Sequence, residues 1–233
     1  MPTLMEYAEI ANKVYEPSTA TDPAPTGWTC PRGAAVDDTS VFQGGSALSS
    51  GFQGRVFRKG NAAVFAFKGT VPTMASDLVA DLSLVLNAVP RQAYVAMRHA
   101  IRWQRLYSNF DITLVGHSLG GGLAQILGPQ LGVRFVTFNA PGMLEASKGI
   151  APIFSGVGRV IRLFGGGMEN AGVNYRRSWD VVGNFGAHIG RCVEITGGAT
   201  GPFRGHGIAG FIEVLRDRSD ANRDPLPPLE GDD

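Results

Sequence analysis

The feature that most constrains the fold of this chain is the segment at residues 110–124, FDITLVGHSLGGGLA. Its apolar start, Ile112 to Val115, predicts a buried strand, and the small residues after Ser118 predict the first turn of a helix. The turn between them, Gly116 to Gly120, fits the G-x-S-x-G pattern of a nucleophile elbow, which strains the backbone to lift a serine hydroxyl clear of a sheet. Glycines flank the serine because side chains there would clash with neighbouring segments.

The same turn has a purely structural interpretation, in which Ser118 caps the helix that follows it. The five-residue pattern alone is weak evidence, since the chain contains 32 glycines. A strand before the pattern and a helix after it are the context that a nucleophile elbow requires. This context favours a nucleophilic serine, and the capping interpretation stays open.

Composition and charge exclude several classes of protein. Apolar residues make up 44% of the 233 residues, and 21 basic side chains nearly balance 20 acidic ones, which indicates no nucleic-acid partner. No apolar run reaches the roughly 18 residues of a membrane-spanning helix. Because the amino terminus lacks a signal-peptide pattern, the cytoplasm is the expected location and signal-independent secretion the alternative. In the cytoplasm Cys30 and Cys192 are expected to be free thiols, although the pair could also form a disulfide.

Alternating strand and helix patterns predict a single α/β domain over residues 1–218. Two strands of a hairpin are predicted at Phe52 to Lys59 and Ala62 to Phe67. The elbow strand, its helix and Val133 to Phe138 form a βαβ unit, which belongs in a parallel sheet. Three prolines and five acidic residues in the segment 219–233 predict a disordered tail.

Helical periodicity and helix-breaking residues predict five helices around these strands. They are expected at residues 3–15, 74–88, 90–107, 120–128 and 208–216. Pro90 separates the second from the third, because proline removes a helix hydrogen bond. Gly128-Pro129 is expected to end the fourth, and Thr3 and Glu6 form a capping box at the start of the first.

A serine hydroxyl is too weakly acidic to attack an ester alone and needs a base, which in turn needs a carboxylate. In the elbow fold the three follow in the order serine, acid, histidine. His99 precedes the serine, and the His117 side chain is expected to point into the sheet, away from Ser118. A short strand is predicted at Cys192 to Thr196. His206 lies between glycines after this strand, whereas His188 precedes it. We therefore favour His206 as the base and keep His188 as the alternative.

The carboxylate of the site is predicted to be Asp180. It follows a strand-like segment and precedes both late histidines. Asp111 is the rival, but it lies at the start of the elbow strand, roughly 20 Å from Ser118 at the rise of an extended chain. Asp111 is therefore interpreted as a solvated strand start.

A tetrahedral intermediate also needs two hydrogen-bond donors for its oxyanion. The backbone N–H of Leu119, the residue after the nucleophile, supplies one. Thr70 is the candidate for the second, because it follows the buried strand Ala63 to Phe67 at the edge of the sheet where the site is expected. The alternative is that Thr70 hydrogen-bonds only within its own turn.

Three stretches of the chain resemble the class 3 (fungal-type) lipase family of α/β-hydrolases. They are FKGT at 67–70 with ADL at 80–82, GHSLGG at 116–121 and WDVV at 179–182. The resemblance implies a central, mostly parallel sheet with helices on both faces. It also implies that Ser118, Asp180 and His206 form a catalytic triad, that Thr70 and Leu119 frame the oxyanion hole, and that Asp81 orients the oxyanion hydroxyl. The segment AHIG at 187–190 is similar to a non-catalytic histidine segment of the family.

The chain departs from the family pattern in three places. Lys68 stands where arginine is usual, Gly183-Asn184 replaces a proline-rich run, and residues 71–76 form a longer segment than the family has. These departures concern the lid and the acyl pocket more than the triad. Two segments, 71–89 and 150–164, are apolar enough to form a lid, but for either segment alone a core-packing helix is the favoured interpretation.

The resemblance implies a serine carboxylic-ester hydrolase, a lipase or phospholipase that cleaves acyl esters of lipids through an acyl-enzyme and needs no metal or cofactor. Its expected partners are a lipid or other acyl-ester substrate and, transiently, a membrane or lipid interface. A soluble esterase without interfacial activation and a phospholipase toxin delivered to another cell are alternatives. From a different class, the chain could be a binding module on a hydrolase scaffold, although its complete serine, acid and histidine set argues against this.

Overall fold

The computed structural model describes residues 1–16, 24–31, 33–37, 50–69, 82–150, 172–198 and 205–226. Within these ranges the chain forms a seven-stranded sheet flanked by helices. The strands are β1 (Ala35–Asp37), β2 (Gln53–Lys59), β3 (Ala62–Phe67), β4 (Asp111–His117), β5 (Arg134–Phe138), β6 (Gly172–Arg177) and β7 (Arg191–Ile195). The helices are α1 (Leu4–Lys13), α2 (Leu82–Leu106), α3 (Leu119–Leu131), α4 (Leu144–Ile150) and α5 (Ile208–Arg216).

The strands lie in the sheet in the order in which they occur along the chain. β1, β2 and β3 pair antiparallel, and β3 to β7 all pair parallel. The β2–β3 hairpin turns at Gly60-Asn61, where Gly60 adopts a φ of 55° that favours glycine. The mostly parallel sheet that the sequence predicts is therefore present, and the carboxyl ends of β3 to β7 meet at one edge.

Apolar side chains cover both faces of the sheet. α2 and α3 pack on one face, around Phe65, Leu114 and Phe135. α1 and α5 pack on the other, around Val115 and Phe138. Because each central strand is covered on both sides, strands such as AAVFAF are continuously apolar instead of alternating.

The amino end of α1 satisfies its backbone N–H groups in two ways. The predicted capping box is present: Thr3 Oγ1 accepts from the Glu6 N–H at 3.2 Å, and the Glu6 carboxylate accepts from the Thr3 N–H at 2.9 Å. The two N–H groups between these residues, of Leu4 and Met5, donate to the carbonyls of residues 223 and 221 at 2.9 and 2.8 Å. The segment that follows α5 therefore supplies hydrogen-bond acceptors to the start of α1.

These contacts change the prediction of a disordered tail from residue 219. Ala221 and Leu226 are buried in the core cluster of α1 and α5. Residues 219–226 are thus a packed segment, and residues 227–233 lie outside the described part of the chain. The segment is ordered despite its polar composition, because it buries apolar side chains and accepts hydrogen bonds from N–H groups of α1 that would otherwise have no partner.

Two predicted helix ends are wrong for the same reason. α2 runs without interruption from Leu82 to Leu106 through Pro90, where two helices were expected. Pro90 faces solvent, while one face of the helix is buried continuously at Val89, Ala93, Ala96, Met97, Ala100 and Trp103. α3 likewise continues past Pro129 to Leu131 and ends at Gly132, which has a left-handed φ of 66°. Packing of an apolar face therefore overrides the local effect of proline. Residues 74–81 of the first predicted helix lie outside the described ranges.

Cys30 is half-buried, Cys192 is exposed, and both are free thiols. Burial raises the pKa of both thiols above the ordinary value for cysteine. Among the described residues, no helix has both the length and the apolar character needed to cross a membrane.

Candidate active site

Ser118 lies at the sharp turn between β4 and α3. Its backbone has a φ of 56° and a ψ of −133°, a combination that residues other than glycine rarely adopt. The turn is held on both sides, because the Ser118 N–H donates to the Phe138 carbonyl at 3.0 Å and the Ser118 carbonyl accepts from the Gly122 N–H at 3.1 Å. The Ser118 side chain makes no capping hydrogen bond to α3. This geometry is that of a nucleophile elbow and does not support the capping interpretation.

Glycines allow the elbow to approach the end of β3. A Cβ atom on Gly120 would collide with the Phe67 carbonyl, and one on Gly116 would collide with the Gly120 backbone. A Cβ on Gly69 would lie 3.1 Å from the Cβ of Ser118. The end of β3 and the serine are therefore in direct contact, and the fold brings the segment that leads to Thr70 next to Ser118.

The structure brings together three of the predicted site residues. Nε2 of His206 lies 3.0 Å from Ser118 Oγ, and Nδ1 of His206 lies 3.0 Å from both carboxylate oxygens of Asp180. All three side chains are buried. A carboxylate can only accept, so Nδ1 carries the proton of the neutral ring, and Nε2 is left to accept from the serine hydroxyl.

The Asp180 carboxylate is oriented by its own loop. The backbone N–H groups of Val182 and Gly183 donate to its two oxygens at 3.3 and 2.9 Å. A Cβ on residue 183 would lie 2.8 Å from Asp180 Oδ2, and a proline there would have no N–H to donate. The departure of Gly183-Asn184 from the family pattern thus has a physical role, which is to hold the carboxylate toward His206.

The rival residues lie elsewhere. His188 hydrogen-bonds the Ala140 carbonyl through Nε2 at 2.9 Å, and burial lowers its pKa. Asp111 is exposed at the start of β4 and accepts from the Asn61 side chain. His99 lies within α2, stacked against Phe52. Within the described part of the chain, neither Asp111, the alternative acid, nor His188, the alternative base, contacts Ser118.

His117 has a role that the sequence did not reveal. Its Nε2–H donates to the backbone carbonyl of His206 at 2.7 Å, and its Nδ1 accepts from the Tyr15 hydroxyl at 2.9 Å. The Tyr15 oxygen in turn accepts from the Gly69 N–H at 3.2 Å. Burial raises the pKa of Tyr15, which keeps this hydroxyl protonated. The chain of hydrogen bonds connects the end of β3 to the loop that carries His206.

Asn139 supports the same loop from the end of β5. Its side-chain N–H₂ donates to the carbonyls of Gly205 and His206 at 2.9 and 3.0 Å, and its oxygen accepts from the Arg177 N–H at 2.9 Å. Like Ser118, Asn139 has a positive φ, here 46°. Asn139 and His117 therefore hold the His206 backbone from two sides, and neither role has a signal in the local sequence.

Only some of the residues predicted to form the oxyanion hole and the lid lie in the described part of the chain. Leu119 is the buried first residue of α3. Thr70, Asp81 and the two candidate lid segments, except residues 82–89 and 150, lie outside the described residues. The assignments of Thr70, Leu119 and Asp81 stay predictions.

The protein is expected to lose stability in acid because of His117. Burial and the nearby His206 lower the pKa of His117 to about 3, whereas an unfolded chain would protonate it near pH 6.5. The unfolded state therefore takes up the proton first, and stability that is fully present above pH 6.5 is lost as the pH falls toward 3. Between pH 7 and pH 5, urea denaturation should show a loss in unfolding free energy of about 2 kcal/mol from this group.

The matched variant for this measurement is His117→Gln, which retains an N–H donor for the His206 carbonyl but does not titrate. It should be less stable than the wild type at pH 7 and should show a shallower loss between pH 7 and pH 5. An equally steep loss in both proteins would contradict the assignment to His117.

Comparison with solved structures places the fold among lipases. The chain is similar to the Lip2 lipase from Yarrowia lipolytica, with 15% identity and a TM-score of 0.55 over 87% of this chain and 81% of that chain. It is also similar to the triacylglyceride lipase of Rhizomucor miehei, with 13% identity and a TM-score of 0.54 over 83% and 79%. At these identities the likeness shows the fold alone, and it confirms the predicted α/β-hydrolase fold and the resemblance to fungal lipases.

Sequence comparison identifies the family. A Candida glabrata protein named ATG15 and described as a lipase is 54% identical over 43 residues, which are 18% of this chain and 8% of that protein. The chain thus matches only a small part of that relative's length. The model of the phospholipase-like family of Tle-like phospholipase domains matches residues 6–184, which is well over half of the chain and a range that contains Ser118 and Asp180. The chain belongs to the family of Tle-like phospholipase domains.

Proposed function

We propose that this protein is a serine hydrolase that cleaves acyl esters of lipids, with Ser118 as nucleophile, His206 as base and Asp180 as the acid that orients the base. The observation that carries the proposal is the continuous contact from Asp180 through His206 to Ser118, with 3.0 Å at each step. Two further observations support the same function: the strained backbone of Ser118, and the membership of the chain in a family of phospholipase domains.

The reaction begins when the Ser118 oxygen attacks the ester carbonyl carbon and its proton passes to Nε2 of His206. The carbonyl oxygen becomes an oxyanion at the amino end of α3. There the Leu119 N–H has no partner within the helix and is available to stabilise the charge, together with Thr70. The intermediate collapses as the ester C–O bond breaks, and Nε2 of His206 returns the proton to the leaving alcohol.

The acyl group is then bound to Ser118 and must be released by water. Nε2 of His206 accepts a proton from that water as its oxygen attacks the acyl carbon, and returns the proton to Ser118 Oγ when the acid leaves. In both halves Asp180 stays ionised, holds the Nδ1–H form of the ring and stabilises the imidazolium that forms transiently. The N–H groups of Val182 and Gly183 donate to this carboxylate and hold it in position beside His206.

A fluorophosphonate probe tests the proposal directly. The folded protein should be labelled on Ser118, identified by peptide mass spectrometry, with loss of p-nitrophenyl ester hydrolysis in proportion to labelling. Heat-denatured protein should not be labelled, because the serine is activated only by its neighbours. Absence of labelling in the folded protein, or labelling of a different serine, would favour the non-catalytic binding module.

We propose phospholipids as the preferred class of lipid, since the family is one of phospholipase domains. A panel separates the alternatives: short-chain phosphatidylcholine below and above its micelle concentration, a short-chain triacylglycerol below and above its solubility limit, and a soluble ester as the monomeric reference. Preference for aggregated phospholipid supports the proposal. Equal turnover of monomeric and aggregated substrates would indicate a soluble esterase instead.

A further inference from the structure

The loop that carries Asp180 exposes an unusual amount of apolar surface. Six large apolar side chains are exposed among the described residues, and three of them lie within seven positions of this loop: Trp179, Val181 and Phe185. Trp179 is 64% exposed and Phe185 is 45% exposed. We call these three side chains the apolar rim. Single exposed apolar residues are common on proteins, but a cluster beside a reactive site marks an interaction surface.

The exposure of the apolar rim is built into the loop. The Asn184 side chain donates to the carbonyls of Arg177 and Asp180 at 2.8 and 2.7 Å, and the Phe185 N–H donates to the Val182 carbonyl at 3.1 Å. The Phe185 carbonyl accepts from the Gly142 N–H at 2.7 Å, which attaches the loop to the segment after β5. These bonds connect the loop to itself and to the segment after β5, and in this arrangement the apolar side chains of the rim are exposed.

The two side chains that alternate with the rim point the other way. Asp180 and Val182 are buried, at 0% and 2% exposure, while their neighbours Trp179 and Val181 are exposed. The same turn that directs the carboxylate toward His206 therefore directs the apolar rim outward. Because Asp180 reaches Ser118 through one imidazole, a surface that covers the rim lies close to the nucleophile.

The chemistry of the loop fits a lipid surface. Asp180 is the sole charged residue between positions 178 and 187, and it is buried. Tryptophan and phenylalanine are side chains that settle at the boundary between lipid headgroups and acyl chains. We propose that the apolar rim anchors the protein on a phospholipid bilayer and thereby presents the site to its substrate. The choice of a lipid surface as partner rests on the proposed function.

The distribution of tryptophans provides a direct measurement. The chain has three tryptophans, of which Trp28 and Trp103 are buried and Trp179 is exposed. In the Ser118→Ala protein, which removes hydrolysis from the experiment, phosphatidylcholine vesicles should shift the tryptophan emission to shorter wavelength. Brominated acyl chains in those vesicles should quench it. The additional change Trp179→Phe should abolish both signals, because the remaining tryptophans are already shielded.

Vesicle binding itself is measured by sedimentation with sucrose-loaded vesicles. In the Ser118→Ala background, the double change Trp179→Ser and Phe185→Ser should weaken vesicle binding about tenfold or more. The matched control is Leu106→Ser, which removes an equally exposed apolar side chain (65% exposed) at the end of α2, just before β4 enters the opposite edge of the sheet. Leu106→Ser should bind vesicles like its parent, and circular dichroism should show all variants folded.

Four results would overturn the proposal. One is no emission change with vesicles, another is equal loss of binding in the Leu106→Ser control, and the third is unchanged binding in the Trp179→Ser/Phe185→Ser protein. An emission shift that depends on protein concentration without vesicles would also overturn it, by assigning the rim to a second copy of the chain. Because binding is measured without hydrolysis, failure of the anchor and failure of the hydrolase proposal are separate results.

Discussion

Replacing Ser118 with alanine is expected to lower kcat for ester hydrolysis by a factor of about 10⁴ or more. The change removes the one atom that forms the covalent intermediate, and Nε2 of His206 loses the hydroxyl that lies 3.0 Å away. Stability should change little, because the Ser118 side chain makes no capping hydrogen bond to α3. The measurement is initial-rate hydrolysis of a p-nitrophenyl ester by proteins matched in thermal unfolding.

The partners of Ser118 should behave as a unit. His206→Ala should lose a similar factor, and the double variant with Ser118→Ala should lose little more, because the residues act in one step. Asp180→Asn should lose a somewhat smaller factor, since the amide favours the wrong tautomer of His206. The control is His188→Ala, which removes the other late histidine and should retain most of the wild-type rate, since His188 contacts the Ala140 carbonyl instead. Loss of activity in His188→Ala with retention in His206→Ala would contradict the assignment.

Replacing Gly120 with alanine is expected to destabilise the fold by about 2–4 kcal/mol and to remove most of the activity. The new Cβ would collide with the carbonyl of Phe67, which is backbone at the end of β3 and cannot rotate away. The sheet and the elbow must separate to make room. That movement displaces Ser118 relative to Gly69 and to the segment that leads to Thr70. Urea denaturation and residual esterase rate measure the two effects.

Gly149→Ala is the matched control for Gly120→Ala. Gly149 lies in α4, is exposed, and an added Cβ would meet no atom within 4 Å. Alanine there should be neutral or slightly stabilising, because it favours the helix more than glycine does. Equal stability of the two variants would contradict the steric account of the elbow.

Some of the molecule could be predicted because its causes are local. The elbow at Gly116 to Gly120 is a contiguous strand, turn and helix, and the steric demand for glycine falls within a few residues of the serine. The capping box of α1 and the Gly60-Asn61 hairpin are local in the same sense. For such features the residues that create the geometry are also the residues that show it in the sequence.

Other predictions failed where a long-range contact opposed a local signal. Pro90 and Pro129 should have ended helices, but α2 and α3 continue through them, and buried apolar residues such as Val89 and Leu131 lie close to the two prolines. The acidic, proline-containing segment from residue 219 should have been disordered, yet its first part supplies carbonyls to α1 and buries Ala221. Burial of apolar surface outweighs intrinsic helix propensity at such sites.

The amino-acid sequence was sufficient for the class of fold, the serine at the elbow and a short set of candidate partners for it. Tertiary structure alone decided that His206 meets Ser118 across 88 positions, and that Tyr15 and His117, 102 positions apart, support the same loop. Asn139 likewise acts on Gly205 through a backbone carbonyl, which every residue has and which leaves no mark in the sequence. Steric requirements at a turn involve neighbouring residues and can therefore be recognised in the sequence. The contacts that orient a base depend instead on which distant backbone segments the packed sheet brings together.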